Sequence, residues 1–527
     1  MSRSYFFIVL LVTLFSCKDK NKLIETDVED ETTINTVENR IAVIDSVFLS
    51  KTNDSMLISF YKKNALKTFW SNHSCRENLV QLFQSVEFDG LHSKDFDLKK
   101  INKNEKSFQK LNDNELVDYD FLLTKNLIQY IKKVAIGSLD PQSLYKDWDL
   151  KKNKIDIQEH LLDFQKKDSF DYALFRIKPK HKVYQSLEEA LKLLETFPKD
   201  DLSKIEISDK IVANDTNNVL IPIKKRLMYW NDLKPIDSLT SIYDESTQNA
   251  IKKFQMRHGL APDGIIGKGT VAALNFSKEK RKAQIIVNME RWRWYPKEFE
   301  RDYLIINIPD YTLLAIKDKD TSRTHKVIVG TAKRSTPILS SKLSYVVFNP
   351  TWTVPPTILK EDVIPATQKN RSYLAKKNIT VYDSKGQIVS AENWQASQAR
   401  SYRYVQSPGS SNSLGLVKIM FPNRFSVYLH DTNTRGYFER ENRSISSGCV
   451  RVQNPFELTE YLLNDPEKWN KERIDEIIKE GATKNVNINH NCYIHLLYWT
   501  AWSENGQLIF RDDIYNLDAE LYKKLRN

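Results

Sequence analysis

The sequence has little with which to build a covalent or metal scaffold. Its 527 residues contain four cysteines, Cys17, Cys75, Cys449 and Cys492. They lie too far apart for a CxxC pair or a disulfide framework. His490 and His495 flank Cys492, but a fourth ligand is missing nearby. That segment therefore reads as a strand with ordinary side chains, not a zinc site. Long internal apolar runs are absent and the mean hydropathy is −0.51, which excludes a protein that crosses a membrane many times. Nucleic-acid motifs and a concentrated basic arm are absent too. Lysine plus arginine nevertheless exceeds aspartate plus glutamate by 79 − 68 = 11. This excess points to an anionic polymer, a membrane surface or a solvated exterior, with no nucleic acid as partner.

What is present is enough to fold. Apolar residues make up 41 % and aromatics 11 %, in a chain too long for one core. The start is distinctive: Ser2, Arg3 and Ser4 precede an apolar run from Tyr5 to Phe15, followed by Ser16 and Cys17. A charged start, a run too short to span a membrane comfortably and a small residue before cysteine make a secretion signal. The string Leu14-Phe15-Ser16-Cys17 resembles a bacterial lipoprotein signal, which implies lipidation of Cys17 and a periplasmic protein anchored to a membrane. Lys18 in place of aspartate leans toward the outer membrane. A plain signal peptide with an incidental Cys17 is the alternative. Residues 18–43 are charged, rich in threonine and asparagine, and read as a tether.

Residues 44–205 carry helical spacing, as in Leu79, Leu82 and Phe83 or Phe121, Leu122, Leu127 and Ile128. They read as a helical domain without chemistry of its own. Within residues 215–278, Ile223, Leu227 and Trp230 suit one helix face, and Ala250, Ile251 and Phe254 a second. The glycines and Pro262 between His258 and Gly269 make a tight connection, and Thr270 starts a third helix. Phe254-Gln255 with Asp263-Gly264 through Leu274 resembles the peptidoglycan-binding domain type 1, a three-helix module. A spacer that has lost binding is the alternative. A tryptophan-rich bridge, Asn288 to Pro296, reads as a helix wedged between domains rather than a sugar-stacking surface.

From residue 298 to 515 the texture changes to strands. Leu304, Ile306 and Ile308 alternate, as do Leu313 and Ala315, and His325, Val327 and Val329. Ser344–Phe348 and Ser426–His430 are further candidates, and Glu504-Asn505-Gly506 marks a hairpin in the tail. Residues 355–409 are irregular and suit an insertion over the sheet. The expected fold class is α+β and multidomain.

The chemistry concentrates in Tyr428-Leu429-His430-Asp431-Thr432 and Ser446-Ser447-Gly448-Cys449-Val450-Arg451-Val452. A thiol attacks only as thiolate, and a nearby histidine takes its proton. A strand-loop-strand return would bring His430 to Cys449. Gly448 lets the backbone approach closely, so amides around Cys449 would stabilise an oxyanion. Arg451, if its segment is extended, shares a face with Cys449 and suits a substrate carboxylate. An ion pair for Arg451 and a core position for Tyr428 are the alternatives. Asn454-Pro455-Phe456-Glu457 reads as a helix start with Asn454 as N-cap.

Together these strings resemble the signature of the L,D-transpeptidase catalytic domain, the YkuD family: a histidine followed at this distance by Ser-x-Gly-Cys-x-Arg. Asn349 to Pro355 and Leu414 to Asn423, with the bridge and the domain order, resemble its larger periplasmic YcbB-type subgroup. The resemblance implies Cys449 as nucleophile and His430 as base, oriented by a backbone carbonyl near Asp431. It implies an oxyanion donor at Gly448, and Tyr428, Arg451, Ser447 and Trp352 lining the site under a capping segment. It implies acyl transfer from tetrapeptide stems of peptidoglycan to a second stem, giving 3→3 cross-links with no cofactor and no metal. Water, a free D-amino acid or a protein amine would serve the same site as acceptor. A non-enzymatic alternative is an inactive wall-binding lipoprotein. His430 is expected to lower the pKa of Cys449 below about 8.5, the free-thiol value.

Overall fold

Among the described residues, apolar side chains segregate into three buried clusters, and each marks a part of the architecture. A computed structural model describes residues 39–166 and 169–527. The expectations for Cys17, the signal and most of the tether lie outside the described residues. Residues 41–527 form one compact unit.

The first cluster belongs to the helical region. Its spine is the helix Asp113–Ile136, which starts with a capping box: Asn112 accepts from the Glu115 N–H at 3.0 Å and Glu115 accepts from the Asn112 N–H at 2.9 Å. Leu123, Leu127, Tyr130 and Ile131 of this helix meet Phe60, Leu79 and Phe83 of its neighbours.

The second and largest cluster lies about a twelve-stranded sheet. Its strands, with those of the smaller sheets, are β1 (Trp148–Asp149), β2 (Asp302–Asn307), β3 (Thr312–Lys317), β4 (Asp320–Gly330), β5 (Ile338–Lys342), β6 (Tyr345–Phe348), β7 (Trp352–Thr353), β8 (Ile379–Tyr382), β9 (Arg403–Gln406), β10 (Val417–Met420), β11 (Leu429–His430), β12 (Ser444–Ser446), β13 (Val450–Val452), β14 (Lys484–Asn487), β15 (Tyr493–Leu497), β16 (Ala501–Glu504) and β17 (Gln507–Phe510). The order is β1-β5-β15-β2-β3-β4-β13-β11-β10-β6-β14, with β12 added beside β4. The outermost β1 comes from the region read as purely helical and pairs parallel with β5, so that region contributes a strand to the sheet. The segment expected as a strand over Ser426–His430 narrows to β11. Asn423 accepts from the Phe425 and Val427 N–H groups and donates to the Val427 carbonyl, while Ser426 sits at φ 57°; together these hold a turn where a strand would begin.

The helix Lys278–Trp294 is buried along most of its length and ties the parts together. Gln284 donates to the Thr500 and Arg511 carbonyls, and Asn288 donates to the Thr500 hydroxyl. Glu290 accepts from the Ser138 and Leu139 N–H groups and pairs with Arg293 at 3.2 Å. Arg291 pairs with Asp518 at 2.6 Å. Trp292 packs edge-on to Trp499 and Tyr295, so the tryptophans of the bridge are core residues.

The three-helix module comprises Leu220–Tyr229, Glu245–Arg257 and Lys268–Leu274. Its third helix starts two residues before the expected Thr270. Gln255 explains the motif it belongs to: buried at 2 % exposure, it donates to Asp263 and the Ile265 carbonyl and accepts from the Gly264 N–H. The last strands, β16 and β17, form a two-residue hairpin with Asn505 and Gly506 both at positive φ. This hairpin packs on the module, where His258 stacks on Phe510.

The third cluster is separate. The segment expected as an insertion folds as a small sheet, β7-β9-β8, around Val354, Val363, Val381, Trp394 and Tyr404.

Candidate active site

The neighbouring strands β10, β11 and β13 decide which side chains meet. β11 and β13 run parallel, with Leu429 opposite Val450 and His430 opposite Arg451. β10 runs antiparallel to β11 and puts Lys418 opposite His430. Because side chains two apart share a face, Tyr428 joins His430, and Cys449 joins Arg451, on the same side. The Val450 N–H donates to the Tyr428 carbonyl at 3.1 Å, which continues this register one residue back. One face thus gathers Cys449, Tyr428, His430, Arg451 and Lys418.

His430 is 5 % exposed. Its Nδ1 lies 2.5 Å from the carbonyl oxygen of its neighbour Asp431. A carbonyl only accepts, so Nδ1 carries the hydrogen and Nε2 is the basic nitrogen. The Asp431 carboxylate faces elsewhere: it accepts from the Leu416 N–H at 3.0 Å and pairs with Arg435 at 3.2 Å. It also explains Gly415, which sits at φ +64°, where a Cβ would fall 2.4 Å from the Asp431 Cγ.

Cys449 is half-buried, with Sγ 4.0 Å from the Ser426 carbonyl oxygen. The Tyr428 hydroxyl contacts both the thiol and Trp352. The Tyr428 ring meets His430 edge-on at 5.7 Å and takes the Lys418 ammonium on its face at 3.9 Å.

Electrostatics here depart from the expectation for the resting thiol. Burial raises the Cys449 pKa, although Tyr428, Lys418 and Arg451 pull it the other way. Burial, then Arg451 and Lys418, push His430 down to about 3. The resting pair is therefore a neutral thiol beside a neutral imidazole. The expectation that His430 lowers the thiol pKa is corrected for this state: burial first, then Arg451 and Lys418, disfavours the imidazolium that would do so.

The loop before Cys449 is fixed from below. Gly448 has φ +113°, a conformation suited to glycine. Its carbonyl accepts from the Thr336 hydroxyl at 2.8 Å, and its N–H donates to the Ser446 hydroxyl at 3.1 Å. The Ser446 hydroxyl in turn donates to the Cys449 carbonyl at 2.6 Å. The Gly448 amide, expected to face an oxyanion, thus already has an acceptor within the loop. Ser447 is exposed, and its hydroxyl accepts from Arg334 at 2.9 Å. Arg334 also pairs with Glu361 and Asp362 at 2.6 and 2.7 Å, which ties the capping segment to the nucleophile loop.

Past β13, Asn454 adopts the left-handed conformation, φ 50° and ψ 52°, and makes no side-chain cap. The expected N-cap hydrogen bond is absent, although Pro455 does open the helix Pro455–Leu463. Lys418, Ser446 and Thr336 were not singled out from sequence. Lys418 and Ser446 lay inside the quoted strings, but only strand register shows which of those residues face the thiol.

Three segments of the chain match known protein families. Residues 301–483 match the L,D-transpeptidase catalytic domain, residues 220–274 the "Putative peptidoglycan binding domain", and residues 55–191 the "Scaffold domain". A Haemophilus influenzae protein named "Putative L,D-transpeptidase" is 36 % identical over 249 residues, which cover 46 % of this chain and 50 % of that protein. The chain thus spans about half the length of this curated relative. Among solved structures, an L,D-transpeptidase of Xylanimonas cellulosilytica aligns at 14 % identity and TM-score 0.19, over 55 % of this chain and 99 % of the other. One of Stackebrandtia nassauensis aligns at 13 % identity and TM-score 0.22, over 55 % and 94 %.

Proposed function

We infer the activity of a chain that carries an L,D-transpeptidase catalytic domain and a peptidoglycan-binding domain as follows: it transfers acyl groups between peptidoglycan stems through a thioester on Cys449. The observation that carries this reading is the gathering of Cys449, His430 and Arg451 on one face by the parallel pairing of β11 and β13.

In this reading His430 Nε2 takes the Cys449 proton, and the thiolate attacks the carbonyl between the third residue and the terminal D-alanine of a tetrapeptide stem. The tetrahedral intermediate collapses to a thioester as His430 returns the proton to the departing D-alanine amine. A neutral amine of a second stem then attacks the thioester and passes its proton to His430. The thiolate leaves and is reprotonated, giving a 3→3 cross-link. The Asp431 carbonyl holds the hydrogen on Nδ1, which makes Nε2 the basic nitrogen, and Arg451 holds substrate carboxylate. Trp352 and Tyr428 line the groove. An oxyanion donated to by Gly448 would have to displace Ser446. No cofactor enters these steps.

Peptidoglycan chemistry places the protein outside the cytoplasm. Among the described residues no helix is long and apolar enough to cross a membrane. Lipidation at Cys17 is the proposed means of attachment, and Cys17→Ser should release the protein from the membrane fraction. The order of helical domain, binding module and capped catalytic domain supports the YcbB-type subgroup.

The test is incubation with purified tetrapeptide muropeptides and mass spectrometry of the products. Dimers linked between two third residues, lost in Cys449→Ala, are expected. Tripeptides with free D-alanine would move the acceptor role to water, and products carrying an added D-amino acid would move it to exchange. Products that persist in Cys449→Ala would end the cysteine mechanism.

A further inference from the structure

The turn between β4 and β5, residues 331–337, has no task in the steps above, yet the nucleophile loop rests on it. The Thr331 N–H donates to the Ser446 carbonyl at 3.1 Å, and the Thr336 hydroxyl donates to the Gly448 carbonyl at 2.8 Å. A Cβ on Gly448 would fall 3.3 Å from the Ser335 carbonyl oxygen, so the turn lies against the residue before Cys449. Thr336 is 1 % exposed.

The hydrogen bonds around Thr336 form a relay with a fixed direction. Its hydroxyl accepts from the Gly330 N–H at 2.9 Å, so its single hydrogen goes to the Gly448 carbonyl. The Thr336 N–H donates to the Tyr515 hydroxyl at 3.0 Å, and that hydroxyl donates to the Gly330 carbonyl at 2.9 Å. Amides only donate and carbonyls only accept, so each hydroxyl has one place for its hydrogen. Burial pushes the Tyr515 phenol up to about 12, which keeps that hydrogen in place at neutral pH. Tyr515 is held in turn by Tyr498: the rings stack at 5.4 Å, and the Tyr515 N–H donates to the Tyr498 hydroxyl at 3.1 Å. The helical region grips the same turn, where the Asp147 carboxylate accepts from the Ser335 hydroxyl.

What the relay fixes is a peptide plane. A trans peptide is planar, with its carbonyl and its N–H pointing in opposite directions. Drawing the Gly448 carbonyl toward Thr336 therefore aims the Cys449 N–H to the other side. The Gly448 N–H is taken by Ser446, whereas among the described residues the Cys449 N–H has no acceptor in the chain. It is the amide of this pair left to meet an oxyanion. Gly448, at φ +113°, gives the loop a freedom that Thr336 removes.

We propose that Thr336 and Tyr515 are positioning residues, a relay from the segment after β17 through the β4–β5 turn that sets the Gly448–Cys449 peptide plane for attack on the acyl carbonyl. This rests on the transpeptidase reading. Both residues act through Gly448, and neither bonds to the thiol or to His430. A reaction of Cys449 that develops no oxyanion should therefore not feel the relay.

The test compares two reactions of Cys449 in the full chain. A carbapenem-type β-lactam acylates the thiol through a tetrahedral oxyanion. Iodoacetamide alkylates it by displacing iodide from a saturated carbon, and no oxyanion forms. Thr336→Val should lower the maximal rate of acylation about 10- to 100-fold, with the half-saturating β-lactam concentration unchanged. The rate of alkylation and its pH profile should stay those of the parent. Thr336→Ser keeps the hydroxyl and should recover most of the loss. Tyr515→Phe should slow acylation in the same direction but less, and should add little to Thr336→Val, since the bonds are in series. Equal slowing of both reactions, or equal loss in Thr336→Ser and Thr336→Val, makes the residues general support and overturns the relay. Acylation at the parent rate in both Thr336→Val and Tyr515→Phe overturns it as well. Failure of the transpeptidase reading looks different: the parent chain itself then forms no adduct at Cys449.

Discussion

Two groups of buried cations in this chain invite comparison. On the helix Lys278–Trp294, Arg291 and Arg293 are fully buried, and each meets a carboxylate of the chain itself. On the catalytic face, Lys418 and Arg451 are part-buried and, among the described residues, meet no carboxylate at ion-pair distance. All four are cations; the difference lies in who supplies the anion. Where the chain supplies it, the charge fixes one part of the fold against another. Where the chain withholds it, the cost is borne at a site that a ligand can complete. The comparison predicts that loss of a partner in the first group costs stability, and that changes in the second cost chemistry.

The largest effect should come from the catalytic face. His430→Ala removes the base and should slow thioester formation by about 10²- to 10⁴-fold, with unfolding by urea little changed. Thioester formation at the parent rate in His430→Ala would remove the residue as base. Next is the bridging helix. Glu290→Gln leaves Arg293 buried without its carboxylate and should cost about 3–5 kcal/mol in urea unfolding. At temperatures where the variant is still folded, thiol alkylation at Cys449 should match the parent. A loss of reactivity without loss of stability would erase the contrast between the two groups.

A smaller effect concerns pH. Folded His430 stays neutral down to about 3, whereas in the unfolded chain it protonates near the ordinary value of about 6.5. Between those values the unfolded state binds the extra proton, so the group removes stability as pH falls below 6.5 and contributes nothing above it. His430→Gln should flatten this part of the profile by up to about 1.4 kcal/mol per pH unit. Parallel profiles for parent and variant from pH 7.5 to 5 would show that the imidazole is not held neutral. The smallest effect belongs to the cap. Arg334→Ala breaks the tie from Ser447 to Glu361 and Asp362 and should raise Cys449 alkylation a few-fold at low salt, less at high salt. Identical rates at both salt concentrations would leave the tie without consequence.

Much of the frame was legible because local pattern and tertiary role agree. The alternation of Leu304 and Ile306 became β2, with Ile308 just past its end, and Asn505-Gly506 became a two-residue hairpin. The α+β, multidomain class followed from such segments. What was hidden depends on partners remote in sequence. Nothing in Trp148-Asp149 announces a strand, because its pairing with β5 lies some 190 residues on. Asn454 looks like an N-cap, yet the path out of β13 puts it in the left-handed region, where its side chain makes no cap. The motif strings held the reactive residues, but Lys418 emerged only from register. The direction of the Cys449 shift emerged only from burial, which outweighs the two cations that pull it down.

The central claim is that Cys449 carries the acyl group. Its most direct test is intact-protein mass spectrometry after exposure to a strained β-lactam of the carbapenem type, whose carbonyl a thiolate opens to leave a stable acyl-enzyme. The account predicts one adduct per chain, mapped to Cys449. Cys75 and Cys492 should stay unmodified, since both are buried, at 6 % and 0 % exposure, whereas Cys449 is partly open to reagent and shares its face with His430. The adduct should vanish in Cys449→Ala. An adduct that persists in Cys449→Ala, or that maps to another residue, would contradict it.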